Sequence, residues 1–209
     1  MKLSTIIPSF GRTKFLREAI DNLLGVTGNH EIIVITEDED SIKALKEMPT
    51  IHLIEGGGTP ISKWNIGARQ ATGDWLMLAT DDVRWKPRWL ERALRTPNQG
   101  YIGLPDGEIP LENFCPHFLA RREWLKEVNG GVLSIPNYKS WFTDVETARR
   151  AQRSGGYAFS DELLIEHLRK SLPNDKTYEI GRQYQARDAE IFIIREKAGF
   201  PDDFHAEII

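Results

Sequence analysis

The chain has 209 residues, a net charge of −4, 40% hydrophobic and 28% charged residues, and a single cysteine. These figures suit one soluble globular unit with a small appendage, and they give no electrostatic reason to expect nucleic acid or an anionic membrane as partner. Cys115 on its own excludes an intrachain disulfide, so a reducing cytoplasm is the expected setting.

In chain order, the opening MKLSTIIPSFGR meets Pro8, Gly11 and Arg12 too early for a signal-peptide core. No segment reaches the roughly 18 apolar residues of a membrane span. Residues 3–7 are a β-branched run ending at Pro8, which predicts a buried strand. Residues 14–24 place Phe15, Leu16, Ala19, Ile20, Leu23 and Leu24 at helical spacing, with Gly25 as the stop. A buried strand (EIIVIT, 31–36), a helix (40–48) and a third strand (51–54) follow. Strands alternating with helices predict a parallel sheet covered on both faces.

EGGGT (55–59) reads as a flexible loop, because it lacks the Lys-Ser/Thr ending of a phosphate-binding loop. A helix is expected over 61–71, ending near Gly73, then a strand over 75–80 and a helix over 88–95 with Pro87 as its first residue. Residues 100–116 are rich in Gly and Pro and read as loop with short strands. Helices are expected over 118–129 and 143–154. Beyond Pro173, Asn174 and Asp175, residues 188–200 carry Ile191, Ile194 and Ala198 at helical spacing, with Phe192 and Ile193 beside them. That predicts an appended helix over the core, dividing the chain into 1–170 and an extension 171–209.

In an open parallel sheet, ligands sit outside the carboxyl ends of the strands. Polar clusters fall there at Pro8-Ser9-Phe10, at residues 37–40 (EDED), at Asp81-Asp82 and in the loop before Lys63-Trp64-Asn65. Gathered carboxylates suit a hard divalent cation. The plain alternative for Asp81-Asp82 is a solvated turn. Capping does not explain the pair, because a helix starting at Pro87 has its cap at Lys86. Thr143 and Glu146 are spaced as a capping box, which leaves Asp144 over at the helix start. The helix dipole, worth about 0.3–1 kcal/mol, accounts for Asp144 without any chemistry. His167, after LLIE, is either a packed residue or a ligand, and Cys115 reads as structural.

Four stretches together resemble family 2 glycosyltransferases of the GT-A fold: STIIPSFGRTKFLREAIDNLL, EIIVITEDED, SKWNIGARQATGDWLMLATDD and TDVETARRAQRSGGY, in the family's order over residues 3–170. The resemblance implies a Rossmann-like α/β domain, with a mainly parallel central sheet flanked by helices and a C-terminal helical appendage. It also implies transfer of a sugar, with inversion, from a nucleotide-diphosphate sugar (UDP-linked favoured) to an acceptor hydroxyl of unknown identity. Mn2+ or Mg2+ would bridge Asp82 and the diphosphate, with His167 in the place of a late metal ligand. Pro8, Ser9 and Phe10 would lie along the nucleoside. Arg12, Glu37, Lys63, Asn65 and Asp81 complete the nucleotide-sugar set. Asp144 would be the base, and Tyr138 and Trp141 would stack on a sugar unless they are core residues. The chain departs from the pattern at Thr36, Trp64, Thr80 and Thr143, each in place of a charged residue. The alternatives are a nucleotidyltransferase on a related fold, or a non-catalytic relative that binds nucleotide sugars or glycans.

Overall fold

The computed structural model describes residues 2–27, 30–97, 100–107, 114–168 and 175–204. Four strands, β1 (Leu3–Pro8), β2 (Glu31–Thr36), β3 (Ile51–Glu55) and β4 (Trp75–Leu78), are joined through helices α1 (Thr13–Thr27), α2 (Glu39–Lys46) and α3 (Pro60–Gln70). Next come β5 (Val83–Trp85), α4 (Trp89–Leu94), β6 (Tyr101–Leu104), β7 (His117–Arg121), α5 (Arg122–Val128) and α6 (Thr143–Arg153). The last elements are β8 (Tyr157–Phe159), β9 (Ile165–His167), α7 (Lys176–Gln183) and α8 (Gln185–Lys197).

A seven-stranded sheet has the order β3-β2-β1-β4-β7-β6-β8. The pairs β1–β2, β2–β3, β1–β4 and β6–β8 are parallel, while β7 runs antiparallel to both β4 and β6. The chain is therefore a mixed α/β fold whose sheet is mostly parallel and covered on both faces. Side chains alternate between faces along a strand. Leu3, Ile7, Ile32, Val34, Trp75 and Met77 pack into one core layer with α1. Ile6, Ile33, Ile35, Leu76 and Leu78 pack into the other, with α3 and α6. That double burial is why these strands read as continuous apolar runs. Edge strand β3 is only partly buried and alternates with exposed residues.

Several boundaries differ from expectation. Gly25 does not stop α1, because it is not among the glycines with left-handed backbone, and the helix runs on to Thr27. Pro87 is not the first residue of α4. Arg88 takes a left-handed conformation (φ 58) and the helix begins at Trp89. Residues 118–121 are not helical: they belong to β7, with Phe118 opposite Leu78 on one side and Gly103 on the other. Thr59, in the expected flexible loop, instead caps α3, with Pro60 at its first turn. The acidic run 37–40 mostly starts α2. Asp38 accepts from the Ser41 amide (2.9 Å) and from the Thr13 hydroxyl (3.1 Å).

The Thr143–Glu146 capping box does not form. The Thr143 hydroxyl is taken by the Ile135 amide (2.7 Å), and Glu146 by Arg150, Arg195 and the Tyr138 hydroxyl.

The extension docks on the core with only part of the expected stripe, Ile191 and Phe192 packing against it half-buried. Ile194 and Ala198 are exposed, as is Ile193. The buried face carries Asp188 and Arg195 instead. Asp188 accepts the backbone amides of Lys139, Ser140 and Trp141 at 3.0, 2.9 and 3.0 Å, and Phe192 stacks on Phe142 at 5.2 Å. Satisfied charge in this contact stands beside the apolar area of Ile191 and Phe192. Pro173 and Asn174, and the expected boundary between residues 170 and 171, lie outside the described residues.

Gly67 of α3 explains how closely that helix lies on the sheet. A Cβ there would meet Ile6 Cγ2 at 2.5 Å and Ile35 Cδ1 at 2.7 Å. Ala improves helix propensity by about 1 kcal/mol, yet overpacking of this kind costs about 1–3 kcal/mol. Gly67→Ala is therefore expected to lower the urea midpoint. An unchanged or raised midpoint would show that α3 has room to retreat.

Candidate functional site

Chain ends of β1 and β4 open into one cavity of about 540 Å³. Asp81 and Asp82 form the turn directly after β4 and are almost fully buried. Arg12, just beyond β1, donates from one Nη1 to Asp81 (2.9 Å) and to Asp82 (3.1 Å), and from Nη2 to Asp175 (2.5 Å). The Ser9 hydroxyl donates to the other Asp81 oxygen at 2.8 Å. The positive charge that two adjacent carboxylates require is thus partly supplied by the protein itself.

His167 reaches the same place through strand register. In the two-stranded ribbon, β9 pairs antiparallel with β5 so that Val83 faces His167, and the Leu168 amide bonds to the Asp82 carbonyl (2.9 Å). Its Nε2 then lies 3.4 Å from Asp82 Oδ1 and 3.2 Å from the Tyr178 hydroxyl. Its Nδ1 lies 3.1 Å from Asp106. Tyr178, from α7, donates to Asp82, and so does the Thr80 hydroxyl (2.7 Å). His117, at the start of β7, stands 3.0 Å from Thr80 through Nε2, and its ring meets that of His167 edge-on at 5.0 Å.

The electrostatics follow from burial set against partners. Burial works to raise the Asp82 pKa, but His167, Arg12 and Tyr178 outweigh it and hold the carboxyl well below its ordinary range. Burial opposes the charged form of His167, yet its hydrogen bonds to Asp106 and Asp82 prevail and hold it up to about 9. His117 is more deeply buried than His167, lacks comparable partners and has His167 beside it, so it is pushed down to about 3 and stays neutral. Asp144, in the first turn of α6, is pushed up to about 6 by burial, against the opposing hydrogen bond from the Val145 amide (2.9 Å).

Of the residues singled out in the sequence, Pro8, Phe10, Arg12, Asp81, Asp82, Trp141, Asp144 and His167 line the cavity. The others are placed elsewhere. Ser9 is buried beneath Asp81. Lys63 is fully buried, donating to the Ser9 carbonyl (3.0 Å) and lying 3.7 Å above the Phe10 ring. Asn65 is spent on the backbone of Leu133 and Ser134. Glu37 is exposed and lies 3.7 Å from Lys63. Tyr138 does not face the cavity. It is buried, with its hydroxyl on Glu146, which corrects the expectation that it stacks on a sugar.

Asp106, His117, Asp175 and Tyr178 were not anticipated. None belongs to a motif: Asp106 follows β6, His117 heads β7, and Asp175 and Tyr178 come with the extension.

Comparison with known proteins gives the class. The glycosyl transferase family 2 profile matches residues 4–143. The chain belongs to that family. An uncharacterized glycosyltransferase of Haemophilus influenzae is 26% identical over 183 residues, covering 78% of this chain and 62% of that protein. Among solved structures, S. aureus TarS 1–349 has a TM-score of 0.63 at 16% identity, covering 80% of this chain and 60% of that one. A mannosyltransferase from Pyrobaculum calidifontis, PcManGT, in complex with GDP-Man and Mn2+, has a TM-score of 0.59 at 16% identity, covering 76% of this chain and 53% of that one. At these identities the likeness to the two structures is one of fold. The chain spans less than two thirds of the length of each relative. Among the described residues, no helix is long and apolar enough to cross a membrane.

The raised pKa of Asp144 makes a prediction about stability. The folded chain holds this proton more tightly than the unfolded chain, so its contribution is present at low pH. It is lost as pH rises from about 4 through about 6. Asn does not titrate. Asp144→Asn is therefore expected to gain on the parent over that window, by on the order of 1 kcal/mol, and to keep the gain above it. Melting curves whose difference is flat with pH would show the carboxyl to be solvated.

Proposed function

We propose that the chain transfers a sugar from a nucleoside diphosphate sugar to an acceptor hydroxyl, with inversion at the anomeric carbon. The observation that carries this reading is the pair of carboxylates in one cavity at the carboxyl edge of the sheet, Asp82 after β4 and Asp144 at the start of α6. Their environments push their pKa values in opposite directions. Asp82 stays ionised, as a group facing a cation must. Asp144 is poised near neutrality, as a general base must be.

The donor would lie along the β1 end, its base against Phe10, whose ring Lys63 holds from behind. UDP-linked donors are the favoured class, supported by a solved form of TarS in complex with UDP, a likeness of fold. Asp82 supplies carboxylate oxygens which, together with those of the diphosphate, would fit Mn2+ or Mg2+ once the Tyr178 hydroxyl and Arg12 make way. When bound, such a cation offsets the charge that develops on the departing diphosphate. Asp144 takes the proton of the acceptor hydroxyl as its oxygen bonds to the anomeric carbon and the bond to the diphosphate breaks. Trp141, beside Asp144 on the cavity wall, offers a flat face to the acceptor ring. Its indole N–H is already satisfied by the Gly181 carbonyl (2.7 Å).

Two variants separate these roles. Asp144→Asn is expected to keep donor affinity and lose about 10²–10⁴ in transfer rate, with the parent's rate falling below a pH of about 6. Asp82→Asn is expected to weaken donor binding itself. Near-normal transfer by Asp144→Asn would move the base elsewhere. In calorimetry, UDP-sugar is expected to bind more tightly with Mn2+ than with chelator, and equal affinities would remove the cation from the site.

A further inference from the structure

On the cavity wall His117 and His167, and beside them Asp106, each offer one ligand atom, and the three atoms lie within 4.8 Å of one another. Both Asp106 and His117 are almost completely buried. The hydrogen bonds fix how the imidazoles present themselves. Thr80 donates its hydroxyl proton to Asp82, so toward His117 it acts as acceptor, and the His117 proton sits on Nε2. That leaves His117 Nδ1 as a bare lone pair. It is buried, has no hydrogen-bond partner, and lies 4.0 Å from Asp106 Oδ2. On His167, Nε2 faces Asp82 and the Tyr178 hydroxyl, and Nδ1 faces Asp106 at 3.1 Å.

We propose that Asp106, His117 and His167 form a binding site for a borderline divalent transition metal such as Zn2+, occupied without any nucleotide. Two imidazoles and a carboxylate are the donors such ions favour, whereas Mg2+ and Ca2+ prefer all-oxygen shells. The outer partners are in place as well. Histidines that bind metals through one nitrogen commonly donate from the other to a hydroxyl or carboxylate, and here Thr80 and Asp82 receive those bonds. Only His167 has a proton to give up, from Nδ1 to solvent, when the metal enters. In this arrangement Asp82 is an outer partner of the metal through His167, and its own oxygens remain the groups that face the cavity. The site does not depend on the proposed reaction and can be tested apart from it.

The experiment is a Co2+ titration of the metal-stripped chain without nucleotide, followed by visible d–d bands and by competition with Zn2+. One equivalent is expected to bind, with Mg2+ unable to compete. His117→Gln and Asp106→Asn are expected to lose the bands. Thr80→Val, which removes the outer hydrogen bond of His117 together with the hydroxyl's bond to Asp82 and leaves the three ligands in place, is expected to weaken binding about 10–100-fold. Imidazole nitrogen spectra of the parent chain read the same site without any variant, where Zn2+ is expected to shift His117 Nδ1 and leave its Nε2 protonated. An unmoved His117 Nδ1 resonance overturns the proposal, and so do bands that survive His117→Gln but vanish in Asp82→Asn. Loss of metal-dependent UDP-sugar affinity with the cobalt bands intact would count against the donor-site cation alone.

Discussion

A single guanidinium holds three carboxylates together at the edge of the sheet. Arg12 lies just past β1, Asp81 and Asp82 just past β4, and Asp175 at the cap of α7, and the four meet within hydrogen-bonding distance in a nearly dry place. Buried charges survive only when paired, and removing one partner of such a set typically costs about 3–5 kcal/mol. The turn after β4, the loop after β1 and the first helix of the extension are therefore fixed relative to one another by the same side chain. Tyr178 is drawn in with them, its ring 4.8 Å from the guanidinium. Cavity, extension and adjacent aspartates are consequences of one electrostatic knot.

Around that knot, polar residues that match the family's motifs act mostly as scaffold. Lys63 is fully enclosed, and its ammonium, its pKa lowered by burial, is held by a backbone carbonyl and the Phe10 ring. Asn65 spends its amide on the segment that leads to α6, bonding Ser134 in both directions. These residues touch no cavity surface, yet they set where Phe10 and Asp144 stand. A motif position can be needed for chemistry it never contacts, because a wall displaced by one ångström is a different wall.

How much was legible follows from what each part depends on. The parallel strands are buried on both faces, so their β-branched runs announce them, and β2 falls on the expected residues 31–36. The carboxylates at the strand ends could be found because the rule placing ligands there needs only strand direction. Residues 118–121 were misread because an apolar segment of that length suits strand or helix alike, and its pairing with β4 and β6 is a tertiary fact. His117 went unnoticed for the same reason, since it heads that strand. Asp106, Asp175 and Tyr178 are ordinary polar residues until the fold carries them across 61 to 163 positions of chain to Asp82 or its partners. The docked face of α8 buries Asp188 and Arg195 beside Ile191 and Phe192, and satisfied charge on such a face leaves no periodicity to read.

The hydroxyl of Tyr178 occupies Asp82 and leans on His167 Nε2, so the extension and any ligand of the Asp82 carboxylate compete for the same atoms. Whatever free energy that hydroxyl adds to the docking of α7 is subtracted from the binding of a cation or diphosphate there, and the subtraction is reciprocal. A chain with its cavity filled must hold its extension more loosely. Equally, a chain whose extension is held from outside must hold a ligand of Asp82 less tightly, and the last helices become a gauge of whether the pocket is occupied.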